Sequence, residues 1–306
     1  MKQLLLILIF SICFTQMMPA QQTIPLYEGA IPNSKPYNTK EYWEPQGNGD
    51  TIVHYISEPT LSVFLPEKMP SSTPAVVICP GGGYQIASIV KEGYAIARRF
   101  NEMGVAAFVL KYRVPDDSSM VDKTIGPLQD AQRAIQLVRL NAKKWNVDMA
   151  KVGIMGFSAG GHVASTAATH FNKNYIANPD NISLRPDYAI FIYPVISFQD
   201  SIGHLGSRDR LIGKNPPASL RDAFSNELLV DANTPPTFLV HATDDNAVPV
   251  MNSVKYYEAL IQHKVSAEMH IYKGGGHGFG MHNPTTRDDW MNLCRHWMES
   301  MQWLRN

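Results

Sequence analysis

One pentapeptide, Gly156-Phe157-Ser158-Ala159-Gly160, constrains this chain more than any other feature. The run before it, 151–155, is typical of a short buried strand, and the small residues after it, 161–168, are typical of a helix. A G-x-S-x-G sequence at a strand-to-helix turn is the pattern of a nucleophile elbow, which holds its serine in a strained backbone conformation. Gly156 and Gly160 have no Cβ that would clash in such a turn. The sequence therefore predicts that Ser158 projects above a sheet edge as a nucleophile.

The group expected next along the chain is a carboxylate on a loop after a later strand, because the elbow arrangement runs in the order serine, acid, histidine. The apolar run 236–241 predicts that strand, and Asp244 and Asp245 follow it. Asp245 lies three residues before Val248 in a D-x-x-V-P spacing, which favours it as the acid. Asp244 remains the alternative, and its ordinary interpretation is a loop carboxylate that caps local amides.

A candidate general base follows a third predicted strand, 267–272. His277 lies within the glycine-rich loop 274–280, whose flexibility would let the imidazole reach over the serine. The other nine histidines have no comparable motif, and we expect packed or surface positions for them. The sequence thus predicts a catalytic set of Ser158, Asp245 and His277.

The loop after the predicted strand 75–79 has the composition of an oxyanion-binding loop. It contains Gly81, Gly82 and Gly83, whose backbone N–H groups have no side chain in front of them. We expect Gly82 or Gly83 to supply one donor and Ala159, directly after the serine, to supply the other. Tyr84 beside this loop either lines the leaving-group side of the site or only packs there.

These motifs carry a family resemblance. The chain resembles the α/β-hydrolase superfamily and, within it, the secreted acetylxylan esterase and carbohydrate esterase-like hydrolases found beside xylan-degrading enzymes. Pro80 stands where the lipase-like branch has histidine, which fits the carbohydrate-esterase branch better. The matching stretches are 79–84, 109–113, 127–131, 156–162 and 275–279. The resemblance implies an esterase that removes acetyl or similar acyl groups from polysaccharides such as xylan through an acyl-enzyme, without a cofactor.

The alternation of strands and helices from Ala75 onward predicts the fold class α/β, with a mostly parallel, doubly wound sheet and helices on both faces. We expect a single α/β-hydrolase domain over 51–306, which opens with a hairpin of 51–57 and 61–65. An extended lead-in over 21–50 precedes it, with Tyr42 and Trp43 as expected anchors.

Segment 197–235 interrupts this alternation just before the acid loop. It is either a lid or substrate-contact insertion or a surface decoration. Within it, His204, Arg208 and Arg210 are candidates for contacts with sugar hydroxyls or a carboxylate. Arg113 ends a strand near the site, and there we expect a structural ion pair.

The charge balance limits the partners that we expect, and the N-terminal segment indicates the compartment. Lys plus Arg and Asp plus Glu number 27 each, which gives no field that would attract nucleic acid or an anionic membrane. Residues 1–20 read as a signal peptide, with a basic start and an apolar run too short to span a membrane. We therefore expect export to the periplasm or outside the cell. Beyond it, Cys79 and Cys294 are expected to be two buried free thiols, and no residue spacing indicates a metal site.

Three alternatives stay open at this stage. A peptidase of the prolyl-oligopeptidase type shares the order of the catalytic groups, although about fifty residues between the signal peptide and the core strands are too few for a propeller. A feruloyl or other bulky-acyl esterase differs only in pocket size. A non-catalytic carbohydrate-binding protein with a degenerate hydrolase fold is disfavoured, because all three catalytic groups are present.

Overall fold

The computed structural model of the protein describes residues 22–68 and 72–304. The predicted signal peptide, 1–20, lies outside the described residues. Within these ranges no helix is both long and apolar enough to cross a membrane. Nor does any group of three or more His, Cys, Asp or Glu side chains there have the arrangement of a metal site.

Strands and helices alternate over most of the described chain. The strands are β1 (Gln22–Pro25), β2 (Tyr42–Pro45), β3 (Thr51–His54), β4 (Thr60–Phe64), β5 (Thr73–Cys79), β6 (Ile86–Ser88), β7 (Ala106–Lys111), β8 (Val147–Phe157), β9 (Ala189–Ile192), β10 (Thr237–Ala242) and β11 (Ala267–Tyr272). The α-helices are α1 (Ala95–Glu102), α2 (Gly126–Leu140), α3 (Ala142–Trp145), α4 (Ser158–Thr169), α5 (Leu205–Ile212), α6 (Ala218–Ala223), α7 (Met251–Gln262) and α8 (Trp290–Ser300). A π-helical turn, Val90–Tyr94, precedes α1, and a 3₁₀ turn, Asn226–Leu228, follows α6.

Eight of these strands form the main sheet, in the order β1-β4-β7-β5-β8-β9-β10-β11. In this sheet order, the six strands β7-β5-β8-β9-β10-β11 run parallel to one another. At the other edge, β4 pairs antiparallel with both β1 and β7. Alternate residues of the strands face opposite sides, as in any pleated sheet. Thus Val77 and Cys79 pack on one side with α2, α4 and α7, while Val76 and Ile78 pack on the other with α1 and α8. The predicted fold class, a mostly parallel doubly wound sheet with helices on both faces, is confirmed.

The predicted opening hairpin is wrong. β3 pairs with β2 and β6 in a separate three-stranded sheet, and β4 joins the main sheet instead. Both segments have the alternating pattern of half-buried strands, and local sequence does not specify which partner each one finds. The predicted anchors Tyr42 and Trp43 are also wrong as anchors, since their side chains are 47% and 46% exposed.

Two other expectations about side chains agree with the structure. Cys79 and Cys294 are buried and unpaired. Arg113, 1% exposed, forms an ion pair with Asp130, which is fully buried, with an Nη2–Oδ1 distance of 2.7 Å. This pair ties the end of β7 to α2 and brings together two of the motif stretches named above.

Candidate active site

Ser158 occupies the strained turn that its pentapeptide predicts. β8 ends at Phe157, α4 begins at Ser158, and Ser158 has a φ of +50°, in the left-handed region that non-glycine residues seldom adopt. The two flanking positions accept only glycine, because other backbone atoms lie too close to leave room for a Cβ. A Cβ on Gly156 would lie 2.1 Å from the Gly160 carbonyl oxygen, and one on Gly160 would lie 2.1 Å from that of Cys79. The local sequence therefore folds into an elbow that holds the Ser158 hydroxyl at the carboxyl edge of the sheet.

The structure brings the three predicted catalytic side chains into one hydrogen-bonded chain. His277 Nε2 lies 2.8 Å from Ser158 Oγ, and His277 Nδ1 lies 2.7 Å from Asp245 Oδ2. Because a carboxylate only accepts hydrogen bonds, Nδ1 carries the proton and Nε2 is left to accept from the serine hydroxyl. Asp244 lies outside this chain and accepts from the amides of Gly276 (2.8 Å) and Gly275 (3.3 Å).

Asp245 is held as a carboxylate by several donors. Its Oδ1 accepts from the amides of Ala247 (2.9 Å) and Val248 (2.8 Å), and its Oδ2 lies 3.2 Å from His241 Nε2 in addition to His277. Burial by itself would raise the pKa of Asp245, but the hydrogen bonds from His241, His277 and Val248 outweigh it and hold the pKa well below its ordinary value. The acid therefore stays ionised throughout the neutral range.

His241 supports the acid loop, the role that its position at the end of the preceding strand indicates. It is fully buried, and its Nε2 faces two acceptors, Asp245 Oδ2 and the Val248 carbonyl oxygen at 3.0 Å. Nε2 therefore carries a proton, which leaves Nδ1 to accept from the Ser253 hydroxyl at 2.8 Å. Through this contact α7 helps to orient the acid.

The glycine loop presents amides beside the elbow. Gly81 approaches Ser158 so closely that a Cβ on it would lie 3.0 Å from Ser158 Cβ, and Gly82 has a φ of +138°, which favours glycine. The Gly82, Gly83 and Ala159 amides donate to no acceptor within the described residues. Three backbone N–H groups at the elbow and the glycine loop are thus free to donate, and an oxyanion hole consists of such donors.

Tyr84 packs beneath this loop, so the structure supports the second of its two sequence interpretations. Its side chain is 2% exposed, and its hydroxyl donates to His162 Nδ1 at 2.8 Å. His162 Nε2 in turn donates to the Phe224 carbonyl oxygen at 2.9 Å. Burial lowers the pKa of His162 to about 4, which keeps the ring neutral. Tyr84 and His162 therefore connect the glycine loop, α4 and the segment 197–235.

Sequence analysis missed two buried residues beneath the site, Glu92 and Tyr193. Glu92 accepts from the Gly81 amide at 2.8 Å and from the Tyr193 hydroxyl at 2.7 Å, and Tyr193 accepts from the Gly280 amide at 2.9 Å. The Tyr193 ring also packs edge-on against His277, with centroids 5.0 Å apart. These bonds link the glycine loop to the His277 loop. Tyr193 directly follows β9 at the carboxyl edge of the sheet, and this position could have identified it as a site residue. No sequence feature of Glu92 indicates such a role.

The segment 197–235 reaches the site through α5. His204 caps this helix by accepting from the Ser207 amide, and its pKa is lowered by burial and by the nearby charge of His277. Arg210 hydrogen-bonds to the side chain of Gln85, next to the glycine loop. Arg208, by contrast, is buried and forms an ion pair with an aspartate of its own segment. Of the three candidate contact residues, His204 and Arg210 therefore lie at the rim and Arg208 does not.

Comparison with known proteins identifies the family. The profile of the BD-FAE family matches residues 61–260, well over half of the chain. The chain belongs to the BD-FAE family. An acetylxylan esterase of Xylanibacter ruminicola is 38% identical over 221 residues, which cover 71% of this chain and 43% of that protein. Endo-1,4-beta-xylanase B of Butyrivibrio fibrisolvens is also 38% identical, over 70% of this chain and 34% of that protein. The chain thus spans less than half the length of these two curated relatives.

Solved structures agree with the BD-FAE assignment. The acetyl ester-xyloside bifunctional hydrolase of Caldicellulosiruptor lactoaceticus superposes with a TM-score of 0.79 at 36% identity, over 95% of this chain and all of that one. The esterase Est2 of Thermogutta terrifontis superposes with a TM-score of 0.68 at 25% identity, over 84% of this chain and 94% of that one. The acetylxylan esterase and Est2 are named as esterases, and the chain shares the fold of Est2 and of the bifunctional hydrolase.

Proposed function

We propose that this protein is a serine esterase that removes acetyl groups from xylan-type polysaccharides. The observation that carries the proposal is the hydrogen-bonded chain from Asp245 through His277 to Ser158, together with the Gly82, Gly83 and Ala159 amides at the elbow and the adjoining glycine loop, which have no acceptor within the described residues. The names of the relatives support the substrate class, since one is an acetylxylan esterase and one solved neighbour acts on acetyl esters. The xylanase name of the second relative describes a protein of which the match covers about a third, so no xylanase activity is proposed here.

In the proposed mechanism, His277 accepts the hydroxyl proton as Ser158 Oγ attacks the ester carbonyl carbon. Asp245 holds the imidazole in the tautomer this requires and stabilises the imidazolium that forms. The amides of Ala159 and of Gly82 or Gly83 donate to the developing oxyanion. As the bond between the acyl carbon and the sugar oxygen breaks, His277 gives its proton to that oxygen, and the sugar leaves as an alcohol. Water, activated by the same imidazole, hydrolyses the acetyl-enzyme and releases acetate.

Acetate release from acetylated xylo-oligosaccharides by the purified protein tests the proposal. Wild type should release acetate, and Ser158→Ala should lose at least about 10⁴-fold in rate while remaining folded. Ser165→Ala, the same change later in α4, serves as the matched control and should keep turnover. Undiminished turnover by Ser158→Ala would sink the proposed mechanism.

Other outcomes identify the alternatives. Release of ferulate but not acetate would point to a bulky-acyl esterase, and cleavage of prolyl dipeptide amides but not esters would point to a peptidase. Binding of xylan without turnover, and without labelling of Ser158 by a fluorophosphonate, would indicate a non-catalytic binding protein. Export follows from the predicted signal peptide and is tested separately, by locating the protein in cell fractions.

A further inference from the structure

Three aromatic side chains are unusually exposed, and two of them, Tyr42 and Tyr55, lie together. Tyr42 (47%), Trp43 (46%) and Tyr55 (46%) belong to, or directly follow, strands of the small sheet β2-β3-β6. Every other large hydrophobic side chain of comparable exposure in the described ranges is non-aromatic, and most of these belong to different elements of the chain. Single exposed apolar residues are ordinary, whereas a cluster of them indicates a contact surface.

The two faces of the small sheet differ in the way that cross-strand register dictates. On one face Trp43 lies opposite Val53, which lies opposite Ala87, and the last two are fully buried against the domain. On the other face Tyr42 lies opposite His54, which lies opposite Ile86. Because side chains alternate along a strand, this second row faces outward.

The outward row carries a stacked set of rings. The Tyr42 ring stacks on the His54 ring with centroids 4.3 Å apart and planes within 8°. Tyr55, held at a φ of +53°, places its ring 5.9 Å from that of Tyr42. We call Tyr42, His54 and Tyr55 the aromatic face.

Ile86 connects the aromatic face to the active site, because it lies opposite His54 in the sheet and contacts the glycine loop. Ile86, the third member of the row, donates its amide to the Gly82 carbonyl oxygen at 3.1 Å, and a Cβ on Gly82 would collide with the Ile86 backbone. Tyr42 lies two strands away from Ile86, a distance of about 10 Å at the usual spacing of paired strands. The row therefore starts at the glycine loop, whose Gly82 and Gly83 amides have no acceptor in the described part of the chain, and ends two strand spacings away from Ile86.

The chemistry of the aromatic face fits a sugar. Polar groups surround the rings: Glu44 accepts from His54 Nε2 at 2.8 Å, and both tyrosines have phenolic hydroxyls. A pyranose ring likewise combines an apolar C–H face with a rim of hydroxyls. Tyrosine suits such a partner, because one part of its side chain is apolar and the other forms hydrogen bonds. A purely apolar partner would displace the water around Glu44 and the two phenolic hydroxyls without offering hydrogen bonds in its place.

We propose that the aromatic face binds the sugar backbone of the same glycan whose acyl group enters the Ser158 site, several sugar residues away from the ester. This inference rests on the proposed function, since it assigns the polymer chain of that substrate to a second contact. It makes the protein selective for acetyl groups on a chain over acetyl groups on a single sugar.

Kinetics with two substrates and a binding measurement test the inference. Tyr42→Ala and Tyr55→Asn are the variants, since asparagine tolerates the positive φ at position 55. Each should raise KM for acetylated xylan about fivefold to tenfold, the loss expected for one stacked aromatic, without changing kcat/KM for 4-nitrophenyl acetate. Ile261→Ala, an exposed apolar residue of α7 outside the small sheet, is the matched control and should change neither. In the Ser158→Ala background, the same tyrosine variants should weaken binding of unacetylated xylohexaose by a similar factor.

The outcomes separate this inference from the proposed function. Wild type that binds xylohexaose through Tyr42 and Tyr55 but releases no acetate would contradict the proposed function and leave the sugar surface standing. Variants that match wild type in KM for acetylated xylan and in xylohexaose affinity would overturn the inference while leaving the esterase intact. A wild-type dimer that Tyr42→Ala converts to a monomer, with unchanged sugar affinity, would also overturn it, because the occupant would then be a second copy of the chain.

Discussion

Replacing Asp245 by asparagine tests the arrangement of the site most directly, because the change is isosteric and removes only charge and one acceptor. Oδ1 of Asp245 faces two N–H donors, from Ala247 and Val248, and Oδ2 faces the N–H groups of His241 and His277. An asparagine has one oxygen for these two sides. On the other side, the asparagine NH₂ group is itself a donor and faces N–H donors, so no hydrogen bond can form there unless one of them changes.

The less costly orientation points the asparagine oxygen at the two amides. The NH₂ group then faces His277 Nδ1, which must become an acceptor, so the imidazole proton moves to Nε2 and points at Ser158. In that tautomer His277 no longer accepts the serine proton. The opposite orientation leaves the exposed Ala247 amide and the buried Val248 amide facing an NH₂ group, at about 1–3 kcal/mol for the buried donor. A wrong tautomer costs about 10⁴-fold in rate, or about 5 kcal/mol of transition-state stabilisation.

Asp244→Asn is the matched control on the neighbouring residue. Asp244 is exposed, and its two oxygens accept separately from the Gly276 amide (2.8 Å) and the Gly275 amide (3.3 Å). An asparagine oxygen keeps the shorter bond, and water replaces the longer one at this exposed position. We expect kcat/KM for 4-nitrophenyl acetate to fall about 10⁴-fold in Asp245→Asn and less than about fivefold in Asp244→Asn, with both proteins folded by circular dichroism. Retention of a tenth or more of wild-type activity by Asp245→Asn, or an equal loss in Asp244→Asn, would refute the reasoning.

Three further predictions concern the surroundings of the site. Glu92→Gln should lower kcat/KM about tenfold, because the glutamine NH₂ group then faces one of the two donors, the Gly81 amide or the Tyr193 hydroxyl, that the carboxylate oxygens accept from. Glu102→Gln on the exposed end of α1 should not change it, and equal rates in both variants would contradict a positioning role. Arg113→Met should cost about 3–5 kcal/mol of unfolding free energy by urea titration, since it leaves the fully buried Asp130 without its ion-pair partner, and a loss below about 1 kcal/mol would count against this. The pKa of His162 is about 4 when folded and 6.5 when unfolded, so its contribution to stability is complete above pH 6.5 and falls by about 3 kcal/mol between pH 7 and pH 4; urea titrations of His162→Gln should show a pH dependence smaller by that amount.

The sequence motifs anticipated the arrangement of the site because each one lies at a strand end with its own local requirement. Ser158 needs glycines at 156 and 160, and His277 needs a glycine-rich loop. Such requirements are visible in a short stretch of sequence. The choice of Asp245 over Asp244 rested on spacing, and the structure places Asp245 against His277, although the catalytic roles themselves stay predictions.

The features that sequence analysis missed depend on contacts between distant parts of the chain. Glu92 is a single carboxylate in a helical stretch, and nothing local indicates that Gly81 and Tyr193 surround it. Likewise, β3 joins a small sheet with β2 and β6 and not a hairpin with β4, because burial of Val53 and Ala87 against the domain decides the pairing. Local pattern indicates that a segment is a strand, but tertiary packing selects its partner.

The register of the sheet explains why the catalytic groups meet. The strand order reverses between β5 and β8: from β5 the chain continues to β7 on one side, and β8 then returns to the other side of β5. Ligands bind at such a switch point in open α/β sheets, because the loops after the two strands diverge and leave a crevice. Here Cys79 of β5 pairs with Gly156 of β8, so the glycine loop and the elbow leave the sheet at the same level.

The paired ends of β10 and β11 likewise place the loops of Asp245 and His277 side by side, and β10 lies two strands from β8 in the sheet. Ala242 of β10 pairs with Tyr272 of β11, so Asp245 and His277 leave adjacent strand ends three and five residues later. The longer loop of His277 spans the distance back to Ser158, and Glu92 and Tyr193 fix its end to the glycine loop. Since all four loops take their positions from strand ends in one parallel register, a one-residue slip of β10 or β11 would separate Asp245 from His277 and abolish the site, even with every catalytic residue present.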